Sequence, residues 1–322
     1  MGEKSVLLSS GHRMPLLGLG CWQSPIEVLK EVIVTALDLG YRHIDTAFQY
    51  RNEEGVGEGI QKWLQKTGRS RSEIFVVTKL PMIGMHTGGV EKCLKMSLEK
   101  LKLDYVDLYL VHSPVGLKTT DYENVYPVNE KGLPIIDEST DHIAIWKEME
   151  KMADKGLTKS IGISNFNIRQ MRKICANARI QPAVNQVEMH AQFQQFQLQE
   201  FCKSRNIVLT AYSPFASPGR PASYNAIAKR PVPNLLEDPV VTLIAERHKV
   251  TTAQVLLKFF AQENIVVIPK SANPERIKTN GDIWSFTLSQ VEMAALKSLD
   301  RGEEGRTFAV LPGFEDHPEC PW

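Results

Sequence analysis

Residues 74–112 read IFVVTKLPMIGMHTGGVEKCLKMSLEKLKLDYVDLYLVH, and they spell a strand, a helix and a second strand. Ile74–Lys79 and Tyr105–His112 are short runs rich in β-branched and aromatic residues, which suit a pleated, buried surface. Val90–Leu101 between them fits an amphipathic helix. Two strands joined through a helix are the repeating unit of a parallel sheet.

The unit recurs in both directions along the chain. Toward the N-terminus, Leu16–Gly20 and Tyr41–Asp45 read as strands with a helix between them. Ser24-Pro25-Ile26-Glu27 looks like an N-cap, a proline at the first helical position and a capping-box glutamate. Leu29, Val32, Ile33, Ala36 and Leu37 then recur at helical spacing until Gly40 stops the helix. Gly55–Gln65 supplies the next helix. Toward the C-terminus, strands are expected at Lys159–Ile163, Val184–Glu188, Ile207–Tyr212 and Ile265–Pro269. Helices are expected at Ile143–Lys155, Ile168–Ala178, Phe196–Arg205 and Thr252–Gln262. The first of these places Ile143, Trp146, Met149, Met152 and Ala153 on one face. Ser289 reads as the cap of a last helix with Val291, Leu296 and Leu299 turned inward, and Met14-Pro15 as part of a small hairpin at the start.

Eight strands alternating with helices suit a (β/α)8 TIM barrel of the α/β class, formed by residues 1–322 as a single domain, with its active site at the C-terminal ends of the strands. A doubly wound open sheet is the alternative. It would want a GxGxxG turn after the first strand, and Gly18-Leu19-Gly20-Cys21-Trp22-Gln23 lacks the final glycine.

Composition narrows the function. The chain has 322 residues, 43% of them hydrophobic, and a formal net charge of +1. That balance gives no support to a nucleic-acid or membrane-surface role, which usually needs a one-signed patch. No apolar run approaches the ~18 residues that span a bilayer, and the first residues lack the layout of a signal peptide. Cys21, Cys93, Cys175, Cys202 and Cys320 are odd in number and contain no CxxC pair, so neither a disulfide framework nor a metal site is expected. A reducing cytoplasm is the simplest setting. Without an obvious coiled coil, a monomer is the expectation.

Polar residues interrupt the strand ends. Asp45 ends the second strand, Lys79 the third and His112 the fourth, and Tyr50 follows Asp45 in its loop. A phenol ionises near pH ~10 and is a poor proton donor near neutrality unless a charge assists it. A lysine ammonium beside it stabilises the phenolate, and an aspartate keeps that lysine charged. A histidine can orient a substrate carbonyl. Taken singly, each has an ordinary structural reading: a strand-end ion pair, a packing tyrosine, a buried histidine. Together on consecutive strands they converge on one rim.

Three longer stretches carry a resemblance. GYRHIDTAFQYRNEEGVG at Gly40–Gly57, LEKLKLDYVDLYLVHSP at Leu98–Pro114 and IPKSANPERIKTN at Ile268–Asn280 resemble the signature regions of the aldo-keto reductase superfamily. IGISNFN (161–167), NQVEMH (185–190) and AYSPF (211–215) extend the similarity over essentially the whole chain. The resemblance implies a barrel with a C-terminal substrate loop that reduces carbonyls with NADPH and needs no metal. It implies Tyr50 as general acid, Lys79 and Asp45 tuning it, and His112 positioning the carbonyl oxygen.

The same resemblance implies the cofactor contacts. Asp45, Ser164, Asn165 and Gln186 would hold the nicotinamide end, Tyr212 would stack on its ring, and the backbone at Gly20, Cys21 and Trp22 would approach it. Ser213, Phe215 and Ser217 would follow the pyrophosphate. Lys270, Ser271, Asn273, Arg276 and Asn280 match the region for the adenosine 2′-phosphate, which two cations and several donors near a helix start would recognise. The pattern departs in two places. Gly219 stands where relatives often carry a clamping aspartate, and Thr279 where a glutamate commonly contacts adenine. A weaker clamp and faster release of the cofactor are expected.

Within the family the resemblance is to the aldose and aldehyde reductase group. Ser113, Pro81 and Ala222 stand where that group carries tryptophan, while Trp22 is retained. Trp22, Tyr50, His112, Ser113, Tyr126, Phe308 and Val310 are expected to wall a roomier substrate pocket, suited to bulky or steroid-like ketones. Insect reductases acting on 3-dehydroecdysteroids are the analogy. Two further readings of the family remain: a non-catalytic cofactor-binding subunit and a crystallin-like structural protein. A hydrolase would need paired acids or a metal cluster at the strand ends, and the sequence shows neither.

Overall fold

The computed structural model describes residues 4–118, 121–220, 232–308, 313–315 and 317–321. Eight parallel strands hydrogen-bond in strict chain order. They are β3 (Leu19–Gly20), β4 (His43–Asp45), β5 (Phe75–Leu80), β6 (Val106–Val111), β7 (Thr158–Ser164), β8 (Val184–Glu188), β9 (Val208–Tyr212) and β10 (Val266–Val267). Bridges from Leu17 to Val267 and from Gly20 to Lys270 join the last strand to the first, so the sheet closes into a barrel. Closure leaves no open edge.

Helices α1 (Ile26–Asp38), α2 (Glu53–Thr67), α3 (Gly89–Leu101), α4 (His142–Asp154), α5 (Ile168–Asn177) and α6 (Phe196–Ser204) return the chain between strands. Helices α7 (Pro239–His248) and α8 (Thr252–Gln262) precede β10, and α9 (Pro274–Gly281) and α10 (Gln290–Lys297) follow it. The sequence reading missed α7 and saw only the start of α9. Both open with a proline behind an Asp or Asn cap, Asp238 and Asn273, and both are short. Pro25, rather than Ser24, occupies the cap of α1. The Ser24 hydroxyl is buried without a hydrogen-bond partner among the described residues. Val291 is 76% exposed, against expectation, while Leu296 is buried.

The core has two parts. One lies between barrel and helices and includes Val76, Tyr109, Ile161 and Leu209. The other fills the barrel itself with Phe75, Val77, Leu108, Leu110, Val184 and Val208. Side chains alternate along each strand, so these inward positions fix the parity of the strands that carry them. A hairpin of β1 (Ser5–Leu7) and β2 (Arg13–Pro15) supplies Leu8 and Met14 to the inner cluster and plugs the N-terminal end. The expected hairpin is therefore present, and the opposite end is left for chemistry.

One glycine sets the spacing of the outer layer. A Cβ on Gly57 of α2 would lie 2.5 Å from the Leu101 carbonyl oxygen at the end of α3. Only a residue without a side chain permits that approach.

Candidate active site

Continuing the inward parity to the C-terminal rim picks out the polar residues. After Phe75 and Val77 comes Lys79, and after Leu108 and Leu110 comes His112. Likewise Gln186 and Glu188 follow Val184, and Tyr212 follows Val208. Asp45 pairs in register with Val77 on the neighbouring strand. The barrel thus brings these residues to one rim by alternation alone.

Lys79 is 0% exposed and its ammonium is fully engaged. It donates to Asp45 Oδ1 at 2.7 Å, to the Thr46 carbonyl at 2.8 Å and to the Tyr50 hydroxyl at 3.3 Å. An ammonium has three hydrogens, so all are assigned and the Tyr50 oxygen acts as an acceptor here. Gln186 Nε2 donates to the other Asp45 oxygen at 2.7 Å. The buried pair is therefore held by hydrogen bonds on both sides, which such a pair requires.

His112 stands beside Tyr50, with ring centroids 5.6 Å apart and edge-on. Burial, reinforced by the Lys79 charge, holds its imidazole well below the usual histidine range. The ring is neutral near pH 7. Its Nδ1 is buried without a hydrogen-bond partner among the described residues, which leaves Nε2 on the cleft side.

A cleft of about 910 Å3 opens over this rim, within the ~300–1,000 Å3 usual for small-molecule and cofactor sites. Asp45, Tyr50, His112, Ser164, Asn165, Gln186 and Tyr212 line its inner part. They form one network: the Tyr212 hydroxyl donates to Asn165 Oδ1 at 2.8 Å, Asn165 Nδ2 to the His112 carbonyl at 2.9 Å, and Ser164 to the Gln186 carbonyl at 2.8 Å. Asn165 holds φ +65°, an uncommon backbone state at a rim otherwise made of extended strand. Ser213, Phe215 and Ser217 line the cleft's flank, and Lys270, Ser271, Arg276 and Asn280 its far end.

That far end is electropositive. Partial burial and the neighbouring Arg276 hold the Lys270 ammonium below its ordinary range. Neither cation forms an ion pair among the described residues. Arg276 lies in the first turn of α9, where backbone N–H groups favour an anion. These residues fit a phosphorylated dinucleotide: amide and phenol groups at one end, cations at the other.

The aldo/keto reductase family model matches residues 16–301. The chain belongs to the aldo/keto reductase family. It is 41% identical over 298 residues to aldo-keto reductase family 1 member A1 of Gallus gallus, covering 92% of this chain and 88% of that one. It is 41% identical over 323 residues to dihydrodiol dehydrogenase 3 of Bos taurus, covering 98% and 97%. The solved aldose reductase from Schistosoma japonicum superposes with a TM-score of 0.86 at 38% identity, covering 94% of this chain and 93% of that chain. This aldo/keto reductase is accordingly an oxidoreductase.

Other expected site residues of this aldo/keto reductase fall in different places. Gly20 and Trp22 line the cleft, but the Cys21 thiol is fully buried and its N–H is taken by the Asp45 carbonyl at 2.9 Å. Asn273 caps α9 by accepting from Arg276 N at 3.0 Å. Ser113, Tyr126 and Phe308 also line the cleft, where Phe308 packs on Trp22 and Tyr212 at 5.7 and 5.6 Å. Pro81 is buried outside the lining, and its neighbour Met82 takes that place. Val310 and Ala222 lie outside the described residues.

The sequence reading missed several lining residues, including Gln49, Val125, Arg220, Phe314 and Cys320. Gln49 sits in a single 3-10 turn and the others in loops, which have no period to extrapolate. Glu188 was also missed. It ends β8 at an inward position, and the alternation that marks Lys79 would have marked it too. Among the described residues no cluster could hold a metal, and no helix is long and apolar enough to cross a membrane.

Proposed function

We propose that this aldo/keto reductase reduces aldehydes and ketones to alcohols with NADPH, with Tyr50 as the general acid. The observation that carries the reading is the Lys79 ammonium 3.3 Å from the Tyr50 oxygen. Tyr50 accepts from Lys79 and would give its own proton to the carbonyl oxygen. As that proton leaves, the adjacent ammonium stabilises the developing phenolate. Asp45, held by Gln186, keeps the ammonium in place. Neutral His112 donates from Nε2 to the carbonyl oxygen, which orients the substrate and supports the oxygen's growing charge. The reduced nicotinamide, when bound, supplies the hydride. Ser164, Asn165, Gln186 and Tyr212 would hold it, and Lys270 and Arg276 would take the 2′-phosphate that separates NADPH from NADH.

The substrate side supports bulky, steroid-like ketones. Ser113 leaves room where related reductases carry a ring, and Trp22, Val125, Tyr126, Phe308 and Phe314 offer apolar walls. A monomer in a reducing cytoplasm belongs to the same proposal, and four of the five cysteines are buried without a disulfide. The test is a panel of aldehydes, sugars, quinones and ketosteroids followed by NADPH oxidation. Turnover with preference for the larger ketones is the expected result. NADPH binding without turnover on any carbonyl would instead favour a non-catalytic nucleotide-binding subunit.

A further inference from the structure

Glu188 and Arg220 meet at one corner of the cleft without touching the catalytic group. Glu188 is 1% exposed at the end of β8. Its carboxylate accepts from Thr307 N at 2.8 Å, from the Thr307 hydroxyl, from Phe308 N at 3.1 Å and from His190 Nε2 at 3.3 Å. These bonds hold the carboxyl below its ordinary range despite the burial that opposes them. The segment is pinned again nearby. Arg301 N donates to the Gln192 carbonyl at 3.0 Å, and a Cβ on Gly305 would lie 1.8 Å from that same oxygen. The Thr307–Phe308 corner is thus fixed to the barrel from several sides.

Arg220 reaches the corner from the opposite wall. It lies in the segment 213–220, which lines the flank of the cleft. The loop is internally set: Ala216 N donates to Ser213 O at 2.8 Å, Arg220 N to Ser217 O at 3.1 Å, and the Ser217 and Ser213 hydroxyls meet at 2.7 Å. Ser213, Ala216 and Ser217 all hold positive φ, 54°, 59° and 51°. Such conformations persist only when surrounding contacts impose them. The Arg220 side chain is 7% exposed, donates to the Thr307 carbonyl, and lies with its guanidinium carbon 5.7 Å from the centre of the Phe308 ring.

We propose that Arg220 is a positioning residue that latches loop 213–220 onto the Thr307–Phe308 corner and so sets how long a nucleotide beside that loop is retained. This rests on the nucleotide reading above. The barrel fixes the corner, so the loop is the partner that the latch restrains. A guanidinium suits the role because its planar fork serves a carbonyl while its face covers a ring, which a lysine ammonium does not reproduce.

The experiment compares the full chain with Arg220→Gln, Arg220→Lys and Glu188→Gln, reading hydrogen exchange by mass spectrometry and NADPH dissociation by stopped-flow fluorescence. Losing a charge-assisted bond should speed both processes roughly tenfold. Faster exchange across 213–220 and faster NADPH release are expected in both Arg220 variants alike. Segment 301–308 should change only in Glu188→Gln, which should also release the loop. Should Glu188→Gln fail to fold, the two Arg220 variants decide alone. Rescue by Arg220→Lys would mark a simple phosphate contact and overturn the proposal, as would unchanged exchange in 213–220. If the wild type does not bind NADPH, the nucleotide reading fails, and the exchange comparison still decides whether the latch exists.

Discussion

The Lys79 ammonium donates at once to the Asp45 carboxylate at 2.7 Å and to the Tyr50 hydroxyl at 3.3 Å. A carboxylate and a phenol from neighbouring segments are thereby linked through a cation from the next strand. The first prediction tests that linkage. Tyr50→Phe removes the proton donor and leaves the ion pair and the cofactor wall intact. Turnover should fall by about 10^2–10^4 while NADPH affinity stays within threefold, measured by steady-state kinetics and fluorescence titration. Undiminished reduction by the variant would remove Tyr50 from the mechanism.

The second concerns the electropositive end. Arg276 forms no ion pair among the described residues and lies beside Lys270 at the start of α9. Arg276→Ala should weaken NADPH at least about tenfold, the scale of one charge-assisted contact, and leave NADH nearly unchanged. Equal losses for both nucleotides would contradict recognition of the 2′-phosphate.

The third concerns acid stability. Burial pushes the His43 imidazole down to about 4, so the folded chain takes this proton only near that pH, whereas the unfolded chain takes it near 6.5. Stability contributed by neutral His43 is therefore complete above pH 6.5 and declines as the pH falls toward 4. Roughly 2 kcal/mol should be lost between pH 6.5 and 5 from this group alone. His112 and His142, also lowered by burial, act in the same direction. Urea midpoints across this range should fall less steeply in His43→Asn than in the wild type. Parallel slopes would show that His43 does not carry the effect.

The fourth tests the outer layer. Adding a methyl to Gly57 sets its Cβ 2.5 Å from the Leu101 carbonyl oxygen and 2.6 Å from its carbon, both of them backbone atoms that cannot rotate away. Gly57→Ala should cost about 1–3 kcal/mol, read as a lower urea midpoint. A midpoint equal to wild type would mean that α2 and α3 separate without penalty.

Much of the barrel was legible in the sequence because its units are local. Val106–Val111 and Val184–Glu188 bear strand composition whatever surrounds them, and the α8 cap is written as Thr251 and Gln254 in a capping box. Helix α7 escaped because its ten residues carry only three buried positions, Val241, Ile244 and Ala245. Val291 sits beside the capping Ser289, where a pattern drawn from so short a helix could not fix which side faces the barrel.

The sequence by itself determined the alternation of strands and helices, the family signatures, and which polar residues stand at strand ends. Asp45, Lys79 and His112 could be named there because strand parity and strand ends are local properties. Tertiary structure alone decided that Leu17 and Val267 meet to close the barrel, and that the three hydrogens of Lys79 go to Asp45, Thr46 and Tyr50. It alone joined Glu188, Arg220 and Thr307, which come from three distant segments. The physical reason is that these groups carry no mark of their partners until packing excludes water, when Glu188 accepts from the Thr307 and Phe308 N–H groups and Arg220 donates to the Thr307 carbonyl.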